Sequence, residues 1–336
     1  MKKIKFAVIG CGHIGKKHAE VISKNNAAEL IALIDIKNSK ELKLDTFHVP
    51  FFSSLKDFFH ANVYVDVINI ATPNGLHAVQ AIECLNAHKH VVIEKPITLH
   101  AADAKKIIEL SQQKQKHVFV VMQNRYSPPI IWLKEIVEKN VLGKIFSVQL
   151  NCFWNRDDRY YTKDNWRGKK DLDGGTLFTQ FSHFIDIFYW LFGDIKNIQT
   201  KLRSFNHQQL TEFEDSGMVT FDFGDDSIGC LHFSTAVYDK NMESSITIIA
   251  ANGSIKIGGQ YMDKLEYCHI KNYTTPHLPG SNEANNYGSY SGSAANHYYI
   301  IQNVIDVLND KAPIATSAKE GMKVVEIIER IYQSAK

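Results

Sequence analysis

The feature that most constrains this chain is the hexapeptide Gly10-Cys11-Gly12-His13-Ile14-Gly15, with an acidic residue, Asp35, twenty positions after its last glycine. Ahead of it Ile4–Ile9 is a continuous apolar run, Ile14–Ser23 has a helical pattern, and Leu30–Asp35 reads as a second strand. A strand, a glycine turn, a helix and an acid at the next strand's end form the dinucleotide-binding pattern. Gly10 permits the tight turn, Gly12 lets backbone approach a pyrophosphate, and Gly15 lets the helix pack closely on the strand. The helix start at His13, Ile14 and Gly15 offers N–H groups and partial positive charge to phosphates. Asp35 is placed to accept from ribose hydroxyls and would repel a 2′-phosphate. No arginine is near and Lys37 is the one close cation, so NAD is expected over NADP. A plain structural turn with Asp35 as a helix cap is the weaker alternative.

The same rhythm continues. Ser54–His60 reads as a helix, Val65–Ala71 as a strand, His77–Ala87 as a helix, His90–Glu94 as a strand, Ala101–Gln115 as a helix and His117–Gln123 as a strand. Apolar strands interleaved with helices predict a doubly wound parallel sheet covered on both faces. Ligands bind such sheets beyond the carboxyl ends of the strands. Thr72, Asn74 and His77 after one strand, and Glu94 and Lys95 after the next, are therefore cofactor-side candidates. Asn74 is equally readable as the N-cap of the following helix.

After residue 123 the pattern changes. Helices are expected at Ile130–Asn140 and Leu177–Phe192, and strands at Lys144–Asn151, Ile195–Phe205, Gly217–Phe223, Ser227–Ala236, Ser245–Ala250 and Ser254–Gly258. Their alternation predicts a large, open, mostly antiparallel sheet in a second, α+β domain. Residues 270–296 read as one long loop, and two helices, Asn296–Leu308 and Lys319–Ser334, follow. The expected division is 1–123 for the Rossmann domain and 124–336 for the substrate and oligomerisation domain.

A net charge of +2 on 336 residues gives no field for nucleic acid. No apolar run reaches the roughly 18 residues of a membrane span, and Ile4–Ile9 is too short for a secretory leader. Five scattered cysteines without a C-x-x-C pair make neither a disulfide framework nor a zinc site. The histidines lack ligand spacing, so no metal is expected. A cytoplasmic protein is the expectation.

Two residues carry the candidate chemistry. Lys95, between Glu94 and Pro96, puts an ammonium where a nicotinamide would lie and can relay a hydroxyl proton as hydride leaves. It is also readable as an ordinary surface lysine. His183 shares a helix face with Thr179 and Asp186, four and three residues away, and titrates near neutrality. Asp186 could orient its ring. The competing reading is a satisfied histidine under the aromatic run Phe184, Phe188, Tyr189, Trp190.

Together the glycine motif, Thr72-Pro73-Asn74, Glu94-Lys95-Pro96, Gly174-Gly175, Ser182-His183 and Asp186 resemble the Gfo/Idh/MocA oxidoreductase family along nearly the whole chain. The resemblance implies a Rossmann domain, an α/β domain whose open sheet carries homodimer or homotetramer contacts, and a final helix packing back on the first domain. It implies a nicotinamide cofactor, Lys95 as catalytic lysine and His183 as active-site histidine. Many members carry Asp where this chain has Thr179, so a carboxylate-assisted relay is not expected there. Gln123–Pro128, Phe153–Arg156, Tyr160-Tyr161, Trp166-Arg167-Gly168 and Asp173–Gly175 resemble the nucleotide-sugar 3-dehydrogenases, which oxidise C3 of UDP-N-acetylglucosamine or its uronic acid. That subgroup makes Asn124, Arg125, Tyr161, Arg167, Thr179 and His183 substrate-binding candidates. Phe181 replaces a glycine common there and is expected to narrow the pocket. From their chemistry alone, Arg156, Arg159 and Arg167 suit diphosphate or carboxylate, and Trp154, Tyr160 and Tyr161 offer faces to sugar or uracil. Dehydrogenation of a free sugar or inositol, and a non-catalytic NAD-binding regulator, are the alternatives.

Overall fold

The computed structural model describes residues 3–162, 165–286 and 290–335. Residues 287–289, within the expected loop, lie outside the described residues. Two compact units emerge: residues 3–122 with 297–325, and residues 123–286, 290–296 and 326–335.

The first unit holds six parallel strands, β1 (Ile4–Ile9), β2 (Ala28–Ile34), β3 (Phe51–Phe52), β4 (Val67–Ile70), β5 (His90–Ile93) and β6 (Val118–Val120), in the order β3-β2-β1-β4-β5-β6. Helices α1 (His13–Lys24), α2 (Leu55–His60), α3 (His77–Asn86) and α4 (Ala101–Lys114) connect them. Strand residues such as Ala7, Val8, Ile68, Val91 and Val92 are fully buried, as a sheet covered on both faces requires. Ser54 caps α2 by accepting the Asp57 N–H at 3.1 Å.

Helix α7 (His297–Leu308) and the first half of α8 (Ala318–Ser334) belong to this unit rather than to the second domain expected for all of 124–336. The cause is apolar burial together with a chain of backbone contacts. α7 packs on α1, Ser317 bridges Phe119, Thr316 Oγ1 donates to the Val120 carbonyl at 2.6 Å, and Gly321 lies against Val120 and Ile97.

The second unit is built on a seven-stranded sheet. Its strands are β7 (Ile145–Phe153), β8 (Ile195–Arg203), β9 (Ser216–Phe223), β10 (Ile228–Ser234), β11 (Glu243–Ala250), β12 (Gly253–Gly258) and β13 (Lys264–Ile270), ordered β13-β12-β11-β7-β10-β9-β8. Only β7 and β10 pair in parallel. Helices α5 (Pro128–Glu138) and α6 (Ser182–Phe192) complete it, and Phe181, Phe184 and Phe188 of the α6 segment pack on Trp154, Phe221 and Phe233. The expected loop contains a hairpin of β14 (Ala284–Asn286) and β15 (Ser291–Ala294), and β13 had no counterpart in the sequence reading. Both escape pattern reading because their residues are short, polar or only half-buried.

Candidate active site

The loops after β1, β2, β4 and β5 all leave the carboxyl edge of the first sheet, so the predicted cofactor residues of the first unit share one edge. Gly10 has φ +85°, and a Cβ there would stand 2.6 Å from the Ala71 carbonyl and 2.7 Å from Thr72 N. Glycine is what lets the first loop pass the loop after β4. A Cβ on Gly15 would overlap the Gly10 carbonyl, which is why α1 can close on the turn. At Gly12 nothing lies within 4 Å of that position. α1 has no side-chain cap and no acid in its first turn. This open cradle at a helix start, between Gly12 and the amides of His13, Ile14 and Gly15, fits a pyrophosphate. Asp35 receives the Cys11 N–H at 2.6 Å and the Lys37 N–H at 2.8 Å, one on each oxygen. Its remaining lone pairs suit ribose hydroxyls. Burial, and then the Asp35 charge, push the Cys11 thiol up to about 12, so it is inert.

Thr72 Oγ1 donates to Gln80 Oε1 at 2.6 Å. Asn74 does not cap α3 as it could have: it is buried in a 3-10 turn, Asn74–Leu76, that precedes the helix. His77, expected at the cofactor, braces two loops of the carboxyl edge. Its ring nitrogens lie 2.8 Å from the Pro96 carbonyl oxygen and 2.9 Å from that of Thr72, and burial lowers its pKa.

Glu94 is also an anchor. Its Oε1 lies 2.9 Å from His18 Nε2 and 3.5 Å from His297 Nε2, and Oε2 accepts the Lys95 N–H at 3.1 Å. Burial alone would raise its pKa, but hydrogen bonds from His18 and His297 outweigh it and hold the carboxylate well below its usual range. The backbone at half-buried Lys95 is thereby tied to a fixed negative charge. Sequence reasoning missed His18 and His297, which lie on α1 and α7 with no shared motif. The three side chains could by proximity hold a metal, their ligand atoms lying within 4.8 Å of one another. Asn69 Nδ2 lies 2.7 Å from His18 Nδ1 on the other side of the ring.

In the second unit three predicted residues, Tyr161, Arg167 and Thr179, gather around one that was quoted only as part of a motif, Asp173. Asp173 Oδ2 accepts the Gly168 N–H at 2.8 Å, and Oδ1 accepts the Thr179 hydroxyl. Burial, then the Asp173 charge, hold the Tyr161 hydroxyl well above its usual pKa. A carboxylate thus accepts from the Thr179 hydroxyl, across the positive-φ turn Gly174-Gly175. Thr179 lies in a π-helical turn, Leu177–Phe181, from which α6 continues with His183 as its second residue. Such turns concentrate at functional sites.

Arg167 has its guanidinium carbon 4.6 Å from the Tyr160 ring and 5.7 Å from that of Tyr290, and Nη2 donates to the Tyr290 hydroxyl at 3.1 Å. Its buried Nε has no hydrogen-bond partner among the described residues, and neither has the buried side-chain amide of Asn124. Groups of this kind suit a polar, anionic ligand.

Other cations are placed differently. Arg125 Nε and Nη2 donate to Asp186 at 2.7 Å and 2.5 Å in a buried pair, with Trp190 5.0 Å away. That pair is buried, and through it Asp186 faces Arg125. Arg156 is 2% exposed and spends its donors on Gln180, Asn241 and the Asn155 and Ser291 carbonyls, against the faces of Trp154 and Tyr160. Arg159 pairs with Asp157 and Asp239 in solvent. Phe181 narrows no pocket, for it is fully buried between Trp154 and Phe233.

A parallel sheet of this order with a glycine cradle and an acid at the end of the second strand marks an NAD-binding oxidoreductase of the Rossmann type. Residues 4–122 match the oxidoreductase family NAD-binding Rossmann fold, and residues 134–336 match the same family's C-terminal alpha/beta domain. The chain belongs to the Gfo/Idh/MocA oxidoreductase family. It is similar to the WlbA dehydrogenase of Bordetella pertussis, solved with NADH and UDP-GlcNAcA, at 30% identity over 99% of this chain and 97% of that one, with a TM-score of 0.88. The WlbA dehydrogenase of Chromobacterium violaceum, solved with the same two ligands, is 30% identical over 100% and 94% of the chains, with a TM-score of 0.89. The scyllo-inositol 2-dehydrogenase (NADP(+)) IolW of Bacillus subtilis is 23% identical over 99% of this chain and 94% of its own. The protein is an NAD-dependent oxidoreductase of the sugar-dehydrogenase type. Among the described residues no helix is long and apolar enough to cross a membrane.

Proposed function

We propose that the protein oxidises C3 of a UDP-N-acetylhexosamine or its uronic acid, giving a 3-keto sugar nucleotide for amino-sugar and surface-polysaccharide synthesis in the cytoplasm. The observation that carries this is the Asp173-centred group in the second unit, where Arg167 keeps a buried Nε without a hydrogen-bond partner among the described residues, close to aromatic rings. Similarity at 30% identity to two dehydrogenases solved with UDP-GlcNAcA supports the same reading. NAD, when bound, accepts the hydride. Lys95 takes up the proton of the reacting hydroxyl and His183 assists, while Asn124, Tyr161, Arg167 and Thr179 hold the sugar nucleotide. Domain roles follow: residues 1–123 carry NAD and residues 124–296 carry substrate. Copies associate through the outer face of the large sheet, where Met218, Ile228, Ile249 and Tyr267 are exposed.

Purified protein incubated with NAD and a panel of UDP-sugars should form NADH, and Lys95→Met should abolish turnover while NAD still binds. No NADH with any UDP-sugar, with or without a 2-keto acid to reoxidise bound cofactor, refutes the substrate. The similarity to IolW favours a second reading, a free sugar or inositol as substrate. Activity on those compounds that survives Arg167→Ala would establish it.

A further inference from the structure

Lys95 sits in a segment whose backbone is held on both sides. Its own N–H donates to Glu94 Oε2 at 3.1 Å, and the Pro96 carbonyl oxygen lies 2.8 Å from His77 Nδ1. A carboxylate on a flexible side chain grips the next amide firmly only if its own head is fixed. Glu94 is fixed from two helices that are far apart in sequence. His18 of α1 stands 2.9 Å from Oε1, and His297 of α7 stands 3.5 Å from the same oxygen. The two rings meet edge to face, with centroids 5.3 Å apart. Asn69 of β4 lies 2.7 Å from His18 Nδ1, so the group reaches from the sheet to the Lys95 amide. All four side chains are buried, so bulk water does not readily replace a lost donor.

We propose that His18 and His297 are positioning residues that act through Glu94 to hold Lys95 at the carboxyl edge of the first sheet. This rests on the reading above that Lys95 takes up the substrate proton. Removing one imidazole leaves the buried carboxylate with one donor fewer. The carboxylate then loses its fixed orientation, its grip on the Lys95 amide weakens, and the lysine strays from the distance that proton transfer needs. His297 is the cleaner handle, because it belongs neither to the glycine turn nor to the helix that opens on it.

The test compares His297→Phe, which keeps a ring but no donor, with His297→Gln, which keeps a donor. His297→Phe should lower kcat for the oxidised sugar about tenfold, the value of one buried hydrogen bond, with NAD affinity within about threefold of wild type. His297→Gln should recover most of that loss. Amide hydrogen exchange reads the same link without substrate. The Lys95 N–H should exchange slowly in wild type and, relative to the Val92 amide in β5, at least about tenfold faster in His297→Phe. Wild-type kcat in His297→Phe, or an unchanged ratio of Lys95 to Val92 exchange, overturns the proposal. So does a loss of kcat that His297→Gln shares in full. Should His297→Phe not fold, fast exchange at Lys95 in the wild-type protein overturns it. If Lys95→Met keeps turnover, the catalytic reading of Lys95 fails, and the exchange comparison still decides whether His297 holds this segment.

Discussion

Glu214 offers a stability switch whose size can be worked from its surroundings. It is 9% exposed, and burial raises its pKa from 4.5 to about 7 even though the Tyr332 hydroxyl donates to Oε1 at 2.6 Å. The folded protein therefore keeps this proton up to about pH 7, whereas the unfolded chain releases it near 4.5. A raised folded pKa means that the stability linked to the group is fully present below pH 4.5 and is lost as pH rises to about 7. At about 1.4 kcal/mol per pH unit the loss is on the order of 3 kcal/mol above pH 7. Glu214→Gln is neutral at every pH, and its amide oxygen can still accept from Tyr332. The variant should match wild type near pH 4.5 and exceed it by on the order of 3 kcal/mol at pH 8. Urea denaturation of both proteins across this range measures the difference. All four tryptophans, Trp132, Trp154, Trp166 and Trp190, lie in the second unit with Glu214, so their fluorescence reports the relevant unfolding. A difference that does not change with pH, or that favours wild type at pH 8, would refute the reasoning.

Three other outcomes follow from single contacts. Gly15→Ala drives a Cβ into the Gly10 carbonyl, so NAD affinity measured by titration should fall at least about tenfold, because the shifted turn loses the pyrophosphate cradle. His297→Leu removes one partner of buried Glu94 and should cost about 1–3 kcal/mol in urea denaturation at pH 7. Glu94 titrates low in the folded state, so that loss should shrink as pH falls below 4.5. Arg125→Met strands the Asp186 charge and should cost about 3–5 kcal/mol, much of which Asp186→Leu in the same chain should recover. A double variant no more stable than the single one would contradict the pairing.

The local order of residues already determined the first domain and its ligand. Gly10, Gly12, Gly15 and Asp35 form a contiguous strand–turn–helix–strand pattern, and each task belongs to backbone or to one side chain within 26 residues. The division of the chain was legible only in part. That 297–325 joins the first unit depends on apolar faces and on the Val120–Thr316 bond, which join residues almost 200 positions apart. Site roles were least legible where a residue's meaning depends on its partner. Arg125 and Arg167 are equal in sequence, yet one is spent on Asp186 while the other keeps a buried donor. Thr179 shows no sign in sequence of a carboxylate partner, and only the fold sets Asp173 against it. His18 and His297, 279 positions apart, become one group only through Glu94. Periodicity and short motifs encode backbone geometry, which is local, whereas pairing of buried charges is decided by which surfaces the folded chain brings together.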